Sequence, residues 1–271
     1  MRPALDELRD LAIRAADAAA AVHRHYRQTP LAVTTKASPT DAVTEADREA
    51  ERRIVELILA SRPEDEILAE EGTAQSGRSG VRWIVDPLDG TTNYLYGWPA
   101  WAVSIGVEIE GRLALGVVCD TALDRRFVGI VGYGATLNGL PIEVRDQPEL
   151  ATALIATGFY YASAHRARQA EVLRHVLPYV RDIRRGGSAA IDLCSVAAGL
   201  LDGYYEVGLS AWDVAAGSAI AEAAGARVVT VPVANARGPL VVAAGPRLVD
   251  ELLAVLERAG ALAPMPELPG S

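Results

Sequence analysis

The stretch Trp83-Ile-Val-Asp-Pro-Leu-Asp-Gly-Thr-Thr-Asn-Tyr94 restricts the possible folds more than any other part of the chain. Trp83, Ile84 and Val85 read as the end of a buried strand. Pro87 has no N–H to give to a central ladder, so the strand is expected to end at Asp86. Asp86 and Asp89 bracket Pro87-Leu88, Gly90 permits a tight backbone, and Thr91-Thr92-Asn93 can cap a helix start. Two carboxylates beside a helix N-terminus make a place where a hard cation and an anion can meet. Asp-Pro and Asp-Gly are also common turn dipeptides, so the stretch alone leaves a plain turn open.

A chain of 271 residues suits one large or two small domains. Half of it is hydrophobic, yet no apolar run reaches the ~18 residues that span a membrane. Met1-Arg-Pro-Ala-Leu-Asp-Glu lacks the apolar segment of a secretory signal. Cys119 and Cys194 adjoin apolar residues and read as small buried residues in a reducing compartment, so a cytoplasmic protein is expected. The net charge of −9 argues against a broad footprint on nucleic acid. An acidic chain that handles an anionic substrate needs a cation to bridge the two.

Apolar spacing predicts a helix over residues 4–26, with His23 and His25 as solvated residues at its end. Residues 34–41 form a polar connector holding Lys36, the only lysine, with Ser38 and Pro39. Thr44-Glu-Ala-Asp47 has capping-box spacing for a second helix, which gives Asp47 a structural role. A short strand then runs into Glu70-Glu71, adjacent acids that repel unless solvated or bridged by a metal. Residues 72–80 read as a polar loop. Strands over 102–109, 113–119 and 126–131 follow, then an Asn138-Gly139 hairpin signal.

This pattern predicts an α+β domain over residues 1–146, with an antiparallel sheet and a junction at Asp146-Gln-Pro-Glu. Residues 147–271 alternate between strands (154–157, 182–184, 204–206, 228–231, 240–243) and helices (165–179, 188–198, 213–224, 246–259). They predict a second, mixed α/β domain. Residues 261–271, with three prolines, read as a frayed tail.

In Trp212-Asp-Val-Ala-Ala-Gly217, Asp213 opens an Ala-rich helix, where a carboxylate stabilises the dipole by roughly 0.3–1 kcal/mol. That explains Asp213, but not Trp212 or the run of small residues, which would let another backbone come close. Together, Glu70-Glu71, Asp86 to Tyr94, Gly186-Gly-Ser-Ala-Ala190, Tyr204-Tyr-Glu206 and Trp212 to Gly217 resemble the signatures of the inositol monophosphatase family. The resemblance extends from Lys36 to about Gly245.

The resemblance implies a layered α-β-α-β-α sandwich and a magnesium-dependent, lithium-sensitive phosphomonoesterase acting on a small phosphorylated polyol, inositol 1-phosphate. By position, Glu70, Asp86 and the Leu88 carbonyl would hold one Mg²⁺, and Asp86, Asp89 and Asp213 a second. Glu70 and water would hold a third, looser ion. Independently of the resemblance, every candidate donor is an oxygen, which suits Mg²⁺ and not zinc. By resemblance, Asp47 and Thr91 would orient or deprotonate the attacking water. Gly90, Thr91 and Thr92 would take the phosphate. Glu206, Gly187, Ser188, Ala189 and Asp213 would contact the substrate, and Lys36 would lie near the metals. Tyr160-Tyr161 is bulkier than the family pattern there. Arg184 and Arg185 could steer an anion or serve a dimer contact. A homodimer is implied, without membrane or nucleic-acid binding. Histidinol-phosphatase, or another sugar or nucleotide phosphatase of the fold, is the alternative within the class. A regulatory protein-binding role is the alternative outside it.

Overall fold

The computed structural model describes residues 2–28, 33–35, 42–146 and 149–267. Lys36, Ser38 and Pro39 of the connector, Gln147 and Pro148 at the junction, and residues 268–271 lie outside them. The first half contains α1 (Arg2–Tyr26), β1 (Val33–Thr35), β2 (Ala42–Thr44), α2 (Glu45–Ser61), β3 (Glu66–Ala69), β4 (Ala74–Gln75) and β5 (Val81–Asp89). It continues with α3 (Thr91–Tyr96), β6 (Ala102–Ile109), β7 (Arg112–Asp120), β8 (Arg125–Ile130), β9 (Gly134–Leu137) and β10 (Leu140–Ile142). The second half contains β11 (Leu154–Thr157), α4 (Ser163–Val176), β12 (Asp182–Arg184), α5 (Ala189–Ala197) and β13 (Gly203–Val207). It ends with α6 (Ala211–Ala223), β14 (Arg227–Val231), β15 (Leu240–Ala244) and α7 (Val249–Arg258).

The layers alternate helix and sheet. Helices α1 and α2 pack together over one face of the large sheet, whose order is β10-β9-β8-β7-β6-β5-β3-β4. Helices α5 and α6 cover its other face and meet the second sheet, ordered β12-β11-β13-β15-β14. Helix α7 and its neighbour α4 complete the outer layer. This is the layered sandwich the sequence implies. The second sheet is mixed, with β12, β11 and β13 parallel and β13, β15 and β14 antiparallel. The first sheet departs from the antiparallel expectation at one pair, since β3 and β5 run parallel. Strand β4 folds back on one side of β3, which leaves its other side for β5.

The small residues of α6 have the purpose the sequence suggests. A Cβ on Gly116 of β7 would lie 2.2 Å from the Ala216 carbonyl oxygen, and one on Gly106 of β6 would lie 2.7 Å from the Ala215 methyl. Glycines in the sheet and alanines in the helix therefore allow near-backbone contact, which brings the N-terminus of α6 down to the end of β5. The hairpin at Asn138-Gly139 has φ values of 49° and 82°, as a two-residue turn of primed type requires.

Three local expectations are corrected. Strand β5 does not stop at Pro87. It runs on to Asp89, and the ladder to β6 skips from Asp86–Ser104 to Asp89–Ala102. The missing proline N–H is absorbed by this irregularity instead of ending the strand. Helix α3 is capped by Gly90 in the left-handed conformation (φ 89°) with no side-chain cap; Thr91, Thr92 and Asn93 form its first turn. The tail is docked as far as it is described. Met265 is 4% exposed and donates its N–H to the Ala234 carbonyl, and Pro266 O bonds His165 Nε2.

Because α6 meets the sheet backbone to backbone at Gly116, Gly116→Ala is expected to destabilise the fold by roughly 1–3 kcal/mol. Urea denaturation measures this, and an unchanged midpoint would show that the contact is looser than it is drawn.

Candidate active site

The chain reaches the cleft from four directions, and the carboxylates of Asp86, Asp89 and Asp213 are each fixed by a hydrogen bond. Asp86, 1% exposed at the break in the β5 ladder, accepts the Leu88 N–H on Oδ1 at 2.9 Å. Asp89 accepts the Ser188 hydroxyl at 2.6 Å and the Ala190 N–H at 2.7 Å on Oδ2, which ties the end of β5 to the start of α5. Asp213, in the first turn of α6, accepts the Ser210 N–H at 2.6 Å. Glu70 follows β3, and its N–H donates to the Val85 carbonyl at 3.1 Å. Glu51 of α2 holds the next residues, accepting the Glu71 N–H at 2.7 Å, the Thr73 N–H at 3.0 Å and the Thr73 hydroxyl at 2.7 Å.

Asp47 performs the capping job and reaches the site as well. Its Oδ2 accepts the N–H and the hydroxyl of Thr44, and its Oδ1 lies 3.0 Å from the Thr91 hydroxyl. That hydroxyl is also 3.0 Å from the Leu88 carbonyl, so its single proton has two competing acceptors. At Gly90 a Cβ would meet the Ala100 carbonyl oxygen at 2.7 Å, so the tight turn into α3 tolerates no side chain.

Glu70, Asp89, Gly187, Ser188, Ala189, Glu206 and Asp213 line one cavity of about 390 Å³. Tyr160 and Tyr161 also line it, so the two bulky rings do shape this space. The lining does not include Asp47 of α2, nor Asp86, Leu88, Gly90, Thr91 and Thr92, which lie along the β5–α3 turn. Arg184 and Arg185 part company: Arg184 pairs with Asp182 at 2.7 Å, whereas Arg185 faces the cavity.

Burial, followed by repulsion from Glu70, Asp89 and Asp213, pushes the Asp86 pKa well above the usual carboxylate range. Asp213 is raised by burial and then by Asp89 and Glu70. Asp89 is raised to about 6 by burial, against the pull of its Ser188 and Ala190 hydrogen bonds. Among the described residues, no three acid, histidine or cysteine side chains already close on one ion. The donor set nevertheless fits a hard cation. It is all oxygen, it has the wrong charge for its burial, and it is held by bonds that fix one oxygen each on Asp86, Asp89 and Asp213. Glu206 is raised to about 7 by burial and accepts the Tyr204 hydroxyl at 2.8 Å.

Sequence reasoning missed several supporting residues. His23 is not solvated: it is fully buried, with Nε2 2.9 Å from the Pro87 carbonyl and Nδ1 3.2 Å from the Thr121 hydroxyl. Its ring braces the turn between Asp86 and Asp89 from behind. His25 is exposed, as expected. Asn93 donates to the Ala100 and Gly186 carbonyls at 2.8 and 2.9 Å, which couples α3 to the 186–188 loop. Glu51 could have been suspected as an acid on the apolar face of α2; His23 and Asn93 carried no local signal.

The comparisons with known proteins agree with this architecture. The sequence model described as the inositol monophosphatase family matches residues 4–259. An inositol-1-monophosphatase of Mycobacterium bovis is 46% identical over 246 residues, spanning 87% of this chain and 85% of that protein. A Nus factor SuhB of Pasteurella multocida is 38% identical over 255 residues, spanning 92% and 95%. The crystal structure of the extragenic suppressor protein suhB of Bartonella henselae superposes with a TM-score of 0.86 at 34% identity, covering 93% and 99%.

His23 also makes a pH prediction. Burial, and the nearby Arg24 charge, outweigh the Pro87 hydrogen bond and lower its pKa to about 4, from 6.5. The unfolded chain therefore binds the proton first as pH falls. The stability His23 contributes is complete above pH 6.5 and is lost down to pH 4, a change of about 3 kcal/mol. The raised carboxylates act in the opposite sense, but they are common to wild type and His23→Gln. Between pH 6.5 and 4 the unfolding free energy of the wild type should thus fall relative to that of the variant. Parallel curves in chemical denaturation would contradict a neutral buried ring.

Proposed function

The chain belongs to the inositol monophosphatase family, and from that premise we propose that it is a Mg²⁺-dependent phosphomonoesterase that releases inositol and phosphate from inositol 1-phosphate. The observation that carries this reading is the convergence of Glu70, Asp86, Asp89 and Asp213, from the ends of β3, β5 and α6, beside a cavity that also contains Glu206. No structural need explains four acids gathered here, with Asp86, Asp89 and Asp213 raised by burial and by the neighbouring acid charge.

In this reading Glu70, Asp86 and the Leu88 carbonyl would hold one Mg²⁺, Asp86, Asp89 and Asp213 a second, and Glu70 a looser third. When bound, these cations offset the acid charges, lower the pKa of water and stabilise the departing alkoxide. The remaining roles fall to the chain itself. Thr91 takes a proton from the attacking water and passes its own to Asp47, whose burial raises its proton affinity and whose Oδ1 is within 3.0 Å. When the Thr91 proton points to Asp47, the Leu88 carbonyl is left free for a cation, so the two acceptors have separate uses. The N–H groups of Gly90, Thr91 and Thr92, at the start of α3, would donate to the phosphoryl oxygens. Glu206, oriented by the Tyr204 hydroxyl, accepts from the hydroxyls of a polyol, and Gly187, Ser188 and Ala189 line its far side.

The reading extends to a cytoplasmic homodimer. Both cysteines are free and buried, which suits a reducing compartment. Among the described residues, no helix is long and apolar enough to cross a membrane.

Phosphate release from inositol 1-phosphate, histidinol phosphate, adenosine 3′,5′-bisphosphate and fructose 1,6-bisphosphate tests the proposal. Release should require Mg²⁺, be inhibited by Li⁺ and be fastest on inositol 1-phosphate. Full activity in chelator would sink the metal reading, a preference for histidinol phosphate would sink the substrate, and no release at all would favour a purely regulatory role. Asp89→Asn should lower kcat by more than the ~10–100-fold seen when a group behind a metal ligand is lost. A rate near wild type would reduce Asp89 to a tether for α5.

A further inference from the structure

The connection between β14 and β15, residues 232–239, places one more side chain at the cavity, that of Arg237. The connection is anchored on two sides. A Cβ on Gly238 would lie 1.8 Å from the Leu209 carbonyl oxygen, and the Gly208 N–H donates to the Pro239 carbonyl at 3.3 Å, so this end is pressed against the strand leaving Glu206. At the other end Val233 is buried and the Ala234 carbonyl accepts the Met265 N–H at 2.9 Å, so the C-terminal segment holds the loop in place. Arg237 therefore projects from a fixed base.

Its guanidinium lies over the Trp212 ring, 5.7 Å from the centroid, which preserves its planar edge of N–H donors for another partner. Among the described residues it makes no hydrogen bond or ion pair. Its charge reaches Asp213, while that of Arg185 reaches Glu206 and Asp192. The two cations thus flank different parts of the cavity. Glu206 is an acceptor and Arg237 a pure donor, and both line the same space.

We propose that Arg237 determines specificity by donating hydrogen bonds to the hydroxyls of the alcohol portion of the substrate, with Glu206 accepting from other hydroxyls of the same group. The proposal rests on the phosphatase reading above and narrows it: the preferred leaving group is a polyol with hydroxyls on more than one edge. A hydrogen bond to a charged group is worth about 10–100-fold in binding.

The test compares kcat/KM for inositol 1-phosphate with that for p-nitrophenyl phosphate, whose leaving group has no further hydroxyl, in the Mg²⁺-loaded wild type, Arg237→Ala and Arg237→Lys. In Arg237→Ala the ratio of the two values should fall about ten-fold or more, chiefly through KM for inositol 1-phosphate. Lys, which keeps a donor and a charge, should recover part of it. The inhibition constant of inorganic phosphate should move less than that KM. An unchanged ratio would overturn the proposal, whether Arg237 only supports Trp212 or grips the phosphoryl group; in the second case the phosphate constant would shift in step with both substrates. If the wild type hydrolyses neither ester, the phosphatase reading falls. Calorimetric titration with free inositol then decides the role of Arg237, with weaker binding in Arg237→Ala supporting it and equal binding overturning it.

Discussion

Repulsion among carboxylates is the constraint on which the cleft depends. Left to themselves, Glu70, Asp86, Asp89 and Asp213 would separate or protonate, and the raised affinities of the last three for protons express that strain. The three aspartates stay because donors hold them: the Leu88 N–H on Asp86, the Ser188 hydroxyl and Ala190 N–H on Asp89, and the Ser210 N–H on Asp213. The last two acids are held at helix N-termini, where N–H groups have no intrahelical acceptor and the dipole favours negative charge. Helix starts are therefore the cheapest places in a fold to collect acids. The sandwich brings the starts of α5 and α6 to the irregular end of β5 and so does the collecting.

The glycines of the first sheet belong to the same constraint. Asp213 comes near Asp86 only if α6 lies nearly on the backbone of β6 and β7, and Gly106 and Gly116 remove the side chains that would lift it away. Behind the turn, His23 occupies the space below Pro87 and offers its ring to the one carbonyl that the proline places there. In this way the proline that interrupts the ladder creates both the turn and the acceptor that secures it.

What the sequence made legible were features decided within a few residues. The capping box at Thr44–Asp47, the Asn138-Gly139 turn and the small-residue face of α6 all proved to be as the spacing required. What it concealed depends on partners remote in sequence. His23 looks like one more polar residue at a helix end, and it takes Pro87, 64 residues away, and Thr121, 98 away, to make it a buried brace. Residues 261–267 look like a proline-rich tail because their acceptor is in the loop after β14. The run of β5 through Pro87 was hidden for another reason: a proline forbids one hydrogen bond, and a sheet can omit one bond without ending.

A structural excuse for a residue is therefore weak evidence against a chemical role. Asp47, Asp89 and Asp213 each have an ordinary duty, capping α2, tethering α5 and opening α6. Each carboxylate has two oxygens, and in Asp47 the two are visibly divided, Oδ2 to the cap and Oδ1 to Thr91. The duty that explains one oxygen also fixes the direction of the other, and a site that must hold charge in a set geometry needs that fixing. Arg237 is the counterexample that completes the logic. Its loop has structural anchors, but among the described residues its guanidinium makes no hydrogen bond or ion pair and lies over the Trp212 ring. A donor with no fold to hold, on a base that the fold holds firmly, is where the chemistry of a bound ligand should be sought.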